Sequence, residues 1–257
     1  MQVSTNSFET LLMVWIGVGL LTFLFLLKIK APYGRHRQNG WGPEIPARIG
    51  WVVMESPCII AFPIMFGTAA SQWSEPHWPA IVFFLMWMYH YTHRTLVWPV
   101  RARISEKMMP ISIMLTGVAF NGVNAWINAQ WLFFIQHPYE LSWLFGIPFI
   151  VGFILFVIGT TINITSDNKL FALREDGSTN YKIPRGGLFE RVSCPNYFGE
   201  ILEWLGWAIA TWSPAGLAFF VWTVANLTPR AIAHHKWYKD EFEDYPDERK
   251  ALIPFLV

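Results

Sequence analysis

The sequence predicts an all-α polytopic membrane protein, a bundle of seven transmembrane helices with the N-terminus outside and the C-terminus cytoplasmic. Three observations carry that prediction. Of 257 residues, 53% are hydrophobic and only 14% charged, with 15 Trp and 21 Phe, too little charge for a soluble domain of this length. Apolar runs of roughly the length that spans a bilayer recur along the whole chain. The basic residues all fall on one side of the pattern those runs define.

The first run, 8–27, follows MQVSTNSFET. That stretch carries no Lys or Arg, so the run reads as a retained helix and not as a signal peptide. Further runs lie at 51–70, 78–98, 110–134, 143–164, 197–212 and 214–233. The last two meet in a short turn at Ser213-Pro214. With the N-terminus outside, all 19 Lys and Arg fall together, in Lys28–Arg48, Arg94–Lys107, Lys169–Arg191 and Arg230–Lys250. The opposite loops, 71–77, 135–142 and residue 213, contain none. The positive-inside rule puts the basic side in the cytoplasm, and shifting the pattern by one span would scatter these charges. No polar half separates, so residues 1–257 read as a single integral membrane domain. Cys58 falls in the second run and Cys194 in a cytoplasmic loop, locations that do not favour a disulfide, and no CxxC or zinc pattern occurs. Nothing resembles a groove-reading motif, which excludes nucleic acid as a partner.

Against this background the polar residues need reasons. MESPCII places Glu55 inside the second run, and YHYTHRT places His90, Tyr91, His93 and Arg94 near the inner end of the third. INITSDNKLFALR leaves the fifth run, SCPNYFGEILEW opens the sixth, and TPRAIAHHKWYKDEFEDYP ends the seventh. Asn163 and Asp167 share a helix face, as do Asn196 and Glu200, and Arg230, His234 and Tyr238 form one stripe if the last helix continues. Each residue alone has a structural use, as an interhelical hydrogen bond or a helix-end cap. Glu55, Glu200 and Glu203 together at membrane depth point instead to a polar cavity with a function. The long loop REDGSTNYKIPRGGLFERVSCPN offers Arg174, Lys182, Arg185 and Arg191 to phosphates, and its Tyr181, Ile183, Leu188 and Phe189 favour an ordered cover. A polyanion such as a nucleotide cofactor fits the basic face. No GxGxxG occurs, so a Rossmann site is not expected.

On these residues the chain resembles the steroid 5α-reductase family (3-oxo-5α-steroid 4-dehydrogenases). The resemblance runs from APYGRH at 31–36 to the end, through MESP, HYTHRT, NITSD, IPRGGLFERVSCPNYFGEILEW and FEDYPDERKALIPF. It implies a seven-helix membrane enzyme that uses NADPH to reduce the 4,5 double bond of a 3-oxo-Δ4-steroid. It puts the catalytic Glu on Glu55 and the catalytic Tyr on Tyr91, with Trp204 as the aromatic of the steroid pocket. Cofactor-binding positions fall on Asn163, Asp167, Arg174, Tyr181, Lys182, Asn196, Glu200, Arg230, His234 and Tyr238, with Arg103 a weaker member, and mainly within 160–257. Departures bear on substrate preference and cofactor contacts: Met54 stands where many animal members have Gln, Trp98 where some have Tyr, and Lys182 where some have Arg.

The implied chemistry is a hydride to C5 and a proton to C4, with Tyr91 and Glu55 polarising the C3 ketone in the manner of a neutral acid facing a developing enolate. The partners implied are a lipid-soluble 3-oxo-Δ4-steroid and membrane lipid, with no metal. The membrane is the inner membrane in a bacterium or the endoplasmic reticulum in a eukaryote. Rival readings are a related enoyl or sterol reductase and an S-adenosylmethionine-dependent membrane methyltransferase. A di-iron enzyme would use His90, His93, His234 and His235 as box fragments, but no HxxHH occurs. A seven-helix receptor or transporter would place its polar residues at the outside face, and here they gather inside.

Overall fold

The computed structural model describes residues 4–29, 40–102, 104, 107–136, 138–174 and 181–256. The APYGRH stretch and Arg103 lie outside the described residues. Among the described residues, seven long helical rods account for most of the chain: α1 Thr5–Lys28, α2 Ala47–Ala70, α3 Trp78–Thr92, α4 Ile111–Gln130, α5 Ile147–Ala172, α6 Pro195–Thr211 and α7 Pro214–Glu241. Three of them, α1, α2 and α5, are long and apolar enough to cross a membrane by length and composition. Apolar side chains on their outer faces are exposed, as with Met13 and Leu21 at 67%. Asn121, Asn124, Asn128 and Asp167 are buried instead. This inverts the arrangement of a water-soluble domain and suits a lipid surround.

The ends of the rods differ from the expected runs in ways that shape the interior. α3 does not stop at Thr92 but loosens into a π-helical turn, His93–Val97, and resumes for Trp98–Arg101. Such turns insert an extra residue and re-aim the side chains around them. The fifth run was expected from 143. A 3₁₀ turn fills Leu141–Phe145, and the helix starts after Gly146, with Pro148 in its first turn where a missing N–H costs nothing. It then runs past 164 to Ala172, because Asn163, Ser166 and Asp167 are buried against α6 and keep the polar end helical. α7 likewise continues to Glu241, so Arg230, His234 and Tyr238 do share one helix. The α6–α7 turn is as short as expected. Trp212 takes a left-handed conformation at φ 44°, and the Ser213 hydroxyl accepts from Gly216 N at 2.9 Å to cap α7.

Two features set the register of the bundle. An unexpected two-stranded antiparallel ribbon, β1 Glu44–Pro46 with β2 Met108–Pro110, pairs Ile45 with Met109. It sits just before α2 and α4 and starts them side by side, so Glu55 and Asn121, each two to three turns on, come level. α5 and α6 meet backbone to backbone. A methyl group on Gly159 would lie 2.3 Å from Glu203 N, and one on Gly199 would lie 2.6 Å from both Asn163 N and Gly159 O. Gly152 and Gly206 repeat the arrangement one heptad away. This is the small-residue packing that lets membrane helices approach closely. The core between the rods is largely aromatic, with Phe62 stacked on Trp87 at 4.3 Å and Trp204 against Phe219 at 4.1 Å.

Candidate active site

A cavity of about 560 Å³ opens inside the bundle, within the usual range for a small-molecule site. Its walls are mostly apolar: Trp15, Val18 and Phe25 from α1, Phe120 from α4, and Phe219 and Trp222 from α7. Its polar end is built by Glu55 from α2, His90, Tyr91 and Arg94 from α3, Asn121 from α4, Glu200 from α6 and Arg230 from α7. A largely apolar small molecule carrying a polar group matches that lining.

Glu55 is 8% exposed. Asn121 fixes it, donating through Nδ2 to Glu55 Oε2 at 3.1 Å and to the Met54 carbonyl at 2.8 Å. The other carboxyl oxygen faces Arg94 Nε at 4.0 Å. Tyr91 is buried beside it, tilted against Trp87 at 4.7 Å and Trp204 at 5.8 Å. Trp204 itself is 1% exposed and forms part of the cavity wall. The structure therefore brings Glu55, Tyr91 and Trp204 to one chamber.

Arg94 is the hub of the polar end, and sequence reasoning gave it no role. Its guanidinium lies 4.6 Å from the Trp51 ring and 5.0 Å from the Trp98 ring. Those two indoles also stack on each other at 4.3 Å, and the Trp51 indole N–H donates back to the Arg94 carbonyl at 3.1 Å. Planar stacking of this kind suits arginine and not lysine. From this seat Arg94 faces three carboxylates: Glu55, Asp167 at 4.0 Å and Glu200 at 3.7 Å.

Behind Arg94 a second polar cluster bridges α5 and α6. Trp98 Nε1 donates to Asp167 Oδ2 at 2.6 Å, and Asn196 Nδ2 donates to Asp167 Oδ1 at 3.0 Å. Asn163 Nδ2 donates to the Asn196 carbonyl at 3.0 Å and reaches Glu200 Oε2 at 3.4 Å. The pairing inferred from helical spacing, Asn163 with Asp167 and Asn196 with Glu200, is thus one interlocked set. It exists because the glycine contacts hold the two helices at backbone distance.

The remaining candidates sit further toward the loop end. Arg230 lines the cavity. His234 Nε2 lies 3.2 Å from the Tyr197 hydroxyl. Tyr238 is buried and stacks on Tyr245 at 5.2 Å, so its ring belongs to the docking of the C-terminal segment. Tyr181 meets Trp237 edge-on at 5.0 Å, Lys182 is exposed, and Arg174 Nη1 donates to the Ala102 carbonyl at 3.0 Å. The loop after 181 is ordered around the buried Phe189, as its apolar residues implied. Its tether is the backbone: Ser193 N donates to the Lys250 carbonyl at 2.8 Å and Cys194 N to the Ala251 carbonyl at 3.1 Å. Gly186 N donates to Glu190, whose carboxyl that bond and the nearby Arg249 hold below its ordinary range.

Three of the four histidines that a di-iron site would use have separate partners. His90 pairs with Glu203, His234 with Tyr197, and His235 with Ser193 at 2.6 Å. Among the described residues no three His, Cys, Asp or Glu side chains group as metal ligands. The partner of Glu203, like Arg94 and Asn121, was not legible in the sequence, since helical spacing links only residues a few positions apart.

Comparison with known proteins gives the family. The 3-oxo-5-alpha-steroid 4-dehydrogenase family profile matches residues 107–257. Steroid 5-alpha-reductase DET2 of Arabidopsis thaliana is 42% identical over 255 residues, covering 97% of this chain and 96% of its own. The Bos taurus protein named 3-oxo-5-alpha-steroid 4-dehydrogenase 1 is 42% identical over 244 residues, 94% of this chain and 93% of its own. Its Homo sapiens counterpart is 40% identical over 240 residues, 93% and 92% of the two chains. Identity at this level over nearly the full length establishes that the chain belongs to the steroid 5-alpha-reductase, or 3-oxo-5-alpha-steroid 4-dehydrogenase, family of oxidoreductases.

Proposed function

We propose that this protein reduces the 4,5 double bond of lipid-soluble 3-oxo-Δ4-steroids of the testosterone or progesterone type to their 5α-dihydro products, using NADPH. The observation that carries this reading is the division of the cavity. A chamber walled by indoles and phenyl rings ends at Tyr91 and Glu55, and Arg94 connects that end to the Asn163–Asp167–Asn196–Glu200 cluster. The apolar part takes the steroid skeleton, and the polar end takes its ketone.

The donor set fits a reduced nicotinamide nucleotide. Asp167 and Glu200 are acceptors for ribose hydroxyls or a carboxamide N–H, Asn163 and Asn196 supply amides, and Arg174, Lys182, Arg230, His234 and Tyr238 supply cationic and hydroxyl groups for phosphates. When bound, NADPH supplies the hydride that saturates C5. The protein's part is placement and charge. Tyr91 donates to the C3 oxygen as negative charge builds there, and Glu55, clamped by Asn121, sits beside it as a second acid. The indole and phenyl walls exclude water, which strengthens both interactions.

The same reading assigns the surroundings. Seven helices cross the bilayer with the N-terminus outside, the steroid enters from lipid, and the cofactor enters from the cytoplasm, where the basic residues lie. The membrane is the inner membrane in a bacterium or the endoplasmic reticulum in a eukaryote.

Ligand binding to the purified full-length protein in detergent tests the cofactor assignment. NADPH is expected to raise the unfolding temperature in a concentration-dependent way. S-adenosylmethionine raising it, with NADPH inert, would overturn the reading in favour of methyl transfer. Inhibition of turnover by an acyl-CoA and not by a steroid ketone would move the substrate to enoyl thioesters.

A further inference from the structure

We infer that His90 and Glu203 form a proton-donating dyad, with His90 delivering the proton that the reduction places on C4 and Glu203 holding its ring in position. The inference rests on the reductase reading above and adds a residue to it.

The geometry is specific. His90 Nδ1 lies 2.8 Å from Glu203 Oε1, joining helices whose sequence positions are far apart. Glu203 is 0% exposed, and its second oxygen, Oε2, has no hydrogen-bond partner among the described residues. A carboxylate at that depth is costly and persists where something compensates it. Among the described residues the facing imidazole is its one hydrogen-bond partner. A carboxylate only accepts, so Nδ1 carries the hydrogen, and the ring orientation is thereby set. Nε2 is left without a protein partner among the described residues. The ring lines the cavity next to Tyr91, edge-on at 4.9 Å, and also meets Trp204 edge-on at 4.6 Å. An imidazole so held, with one nitrogen on a buried carboxylate and the other toward a ligand chamber, has the arrangement of a general acid and its orienting carboxylate.

The chemistry needs such a group. Hydride addition at C5 makes an enolate whose oxygen is held by Tyr91, and the reaction is complete only when C4 takes a proton. With His90 as imidazolium, the Nε2–H bond breaks, and the enolate electron pair forms the new C4–H bond and restores the ketone. The cofactor is oxidised by two electrons, the steroid reduced by two, and neutral His90 regains its proton from water. The C4 position adjoins C3, and the His90 ring lies 4.9 Å from the Tyr91 ring that holds the C3 oxygen in this reading. The charged and titratable groups facing His90 are Glu203 and Glu200 from α6, Glu55 from α2, Arg230 from α7, and Tyr91, His93 and Arg94 from its own helix. Of these, only Glu203 is bonded to it.

The test uses the full-length protein in lipid nanodiscs, as wild type, Glu203→Gln and His90→Gln. Glu203→Gln keeps shape and an acceptor but removes the charge. It is expected to lower kcat at least tenfold and to move the alkaline limb of the kcat profile to lower pH, with the KM for NADPH within twofold of wild type. His90→Gln is expected to lower kcat by roughly 100-fold, as loss of a general acid does, and to abolish that limb. A readout independent of turnover is the ¹⁵N spectrum of histidine-labelled protein without steroid or cofactor. The imidazolium signature that disappears in His90→Gln should be present in wild type and lost in Glu203→Gln. Wild-type kcat, an unmoved alkaline limb and an unchanged ¹⁵N signature in Glu203→Gln would overturn the dyad while leaving the reductase reading intact. Failure of the reductase reading would show instead as no turnover by the wild type, and would overturn both.

Discussion

At the scale of single residues, the account turns on Tyr91, buried against Trp87 and Trp204 and turned toward the chamber that Glu55 and Arg94 close. Removing one well-placed donor to a developing oxyanion costs on the order of 3 kcal/mol. Tyr91→Phe is therefore expected to cut turnover by roughly 100-fold or more, with NADPH binding and unfolding temperature close to wild type. Near-normal turnover would remove its assigned role. Glu55, Tyr91 and Trp204 were legible because long uncommon motifs carry them. Arg94 was in view within HYTHRT but had no assigned partner. Its seat beside the stacked Trp51 and Trp98 rings, and its three carboxylates on α2, α5 and α6, come from four separate stretches of chain. Asn121 escaped notice for the same reason: nothing in its own helix marks it until α2 brings Glu55 alongside.

At the scale of elements, helix contacts decide whether those residues meet. The α5–α6 seam places Asn163 and Asp167 against Asn196 and Glu200 only because glycines face backbone there. Gly159→Val is expected to force the helices apart, lower the unfolding temperature and raise the KM for NADPH more than tenfold, while Gly17→Val, at a position open to its surroundings, should leave both unchanged. Equal behaviour of the two variants would deny the seam its role. The C-terminal segment is a second element contact. Ser193 bridges the His235 ring and the Tyr245 hydroxyl, each at 2.6 Å. Burial, with Lys239 and Lys250 nearby, holds the His235 imidazole below its ordinary 6.5. A depressed histidine favours its neutral form in the folded state. Its contribution is thus complete above pH 6.5 and is lost as pH falls from there through the folded value. The wild-type unfolding temperature should drop on acidification over that window, and His235→Gln should flatten the slope. An identical slope in the variant would show that another group sets it. The helices themselves were readable from apolar runs. The π turn after Thr92, the 3₁₀ turn at Leu141–Phe145 and the β1–β2 ribbon were not, because each is short and set by tertiary contact more than by any local pattern.

At the scale of the whole molecule, the exposed apolar faces and buried amides describe a protein turned toward lipid, with a chamber inside the bundle. The proposed topology rests on charge: seven spans put every Lys and Arg on one side and leave the loops 71–77 and 135–142 with none. Single cysteines placed at Ser74 and at Glu243 are expected to label with an impermeant maleimide from opposite sides of oriented vesicles. The native Cys58 and Cys194 are both buried and add little background. Labelling of both from one side would break the seven-span arrangement. The helical character and apolar surface were the most legible features of the three scales, since composition accumulates over the whole chain, whereas the site depends on a handful of contacts across it.

The most direct measurement is NADPH consumption by the purified protein in detergent with testosterone or progesterone, the product identified by mass and by its configuration at C5. The account predicts steroid-dependent consumption and a product two hydrogens heavier with 5α configuration. Protein that is folded and binds NADPH, yet leaves the steroid unchanged, would contradict it.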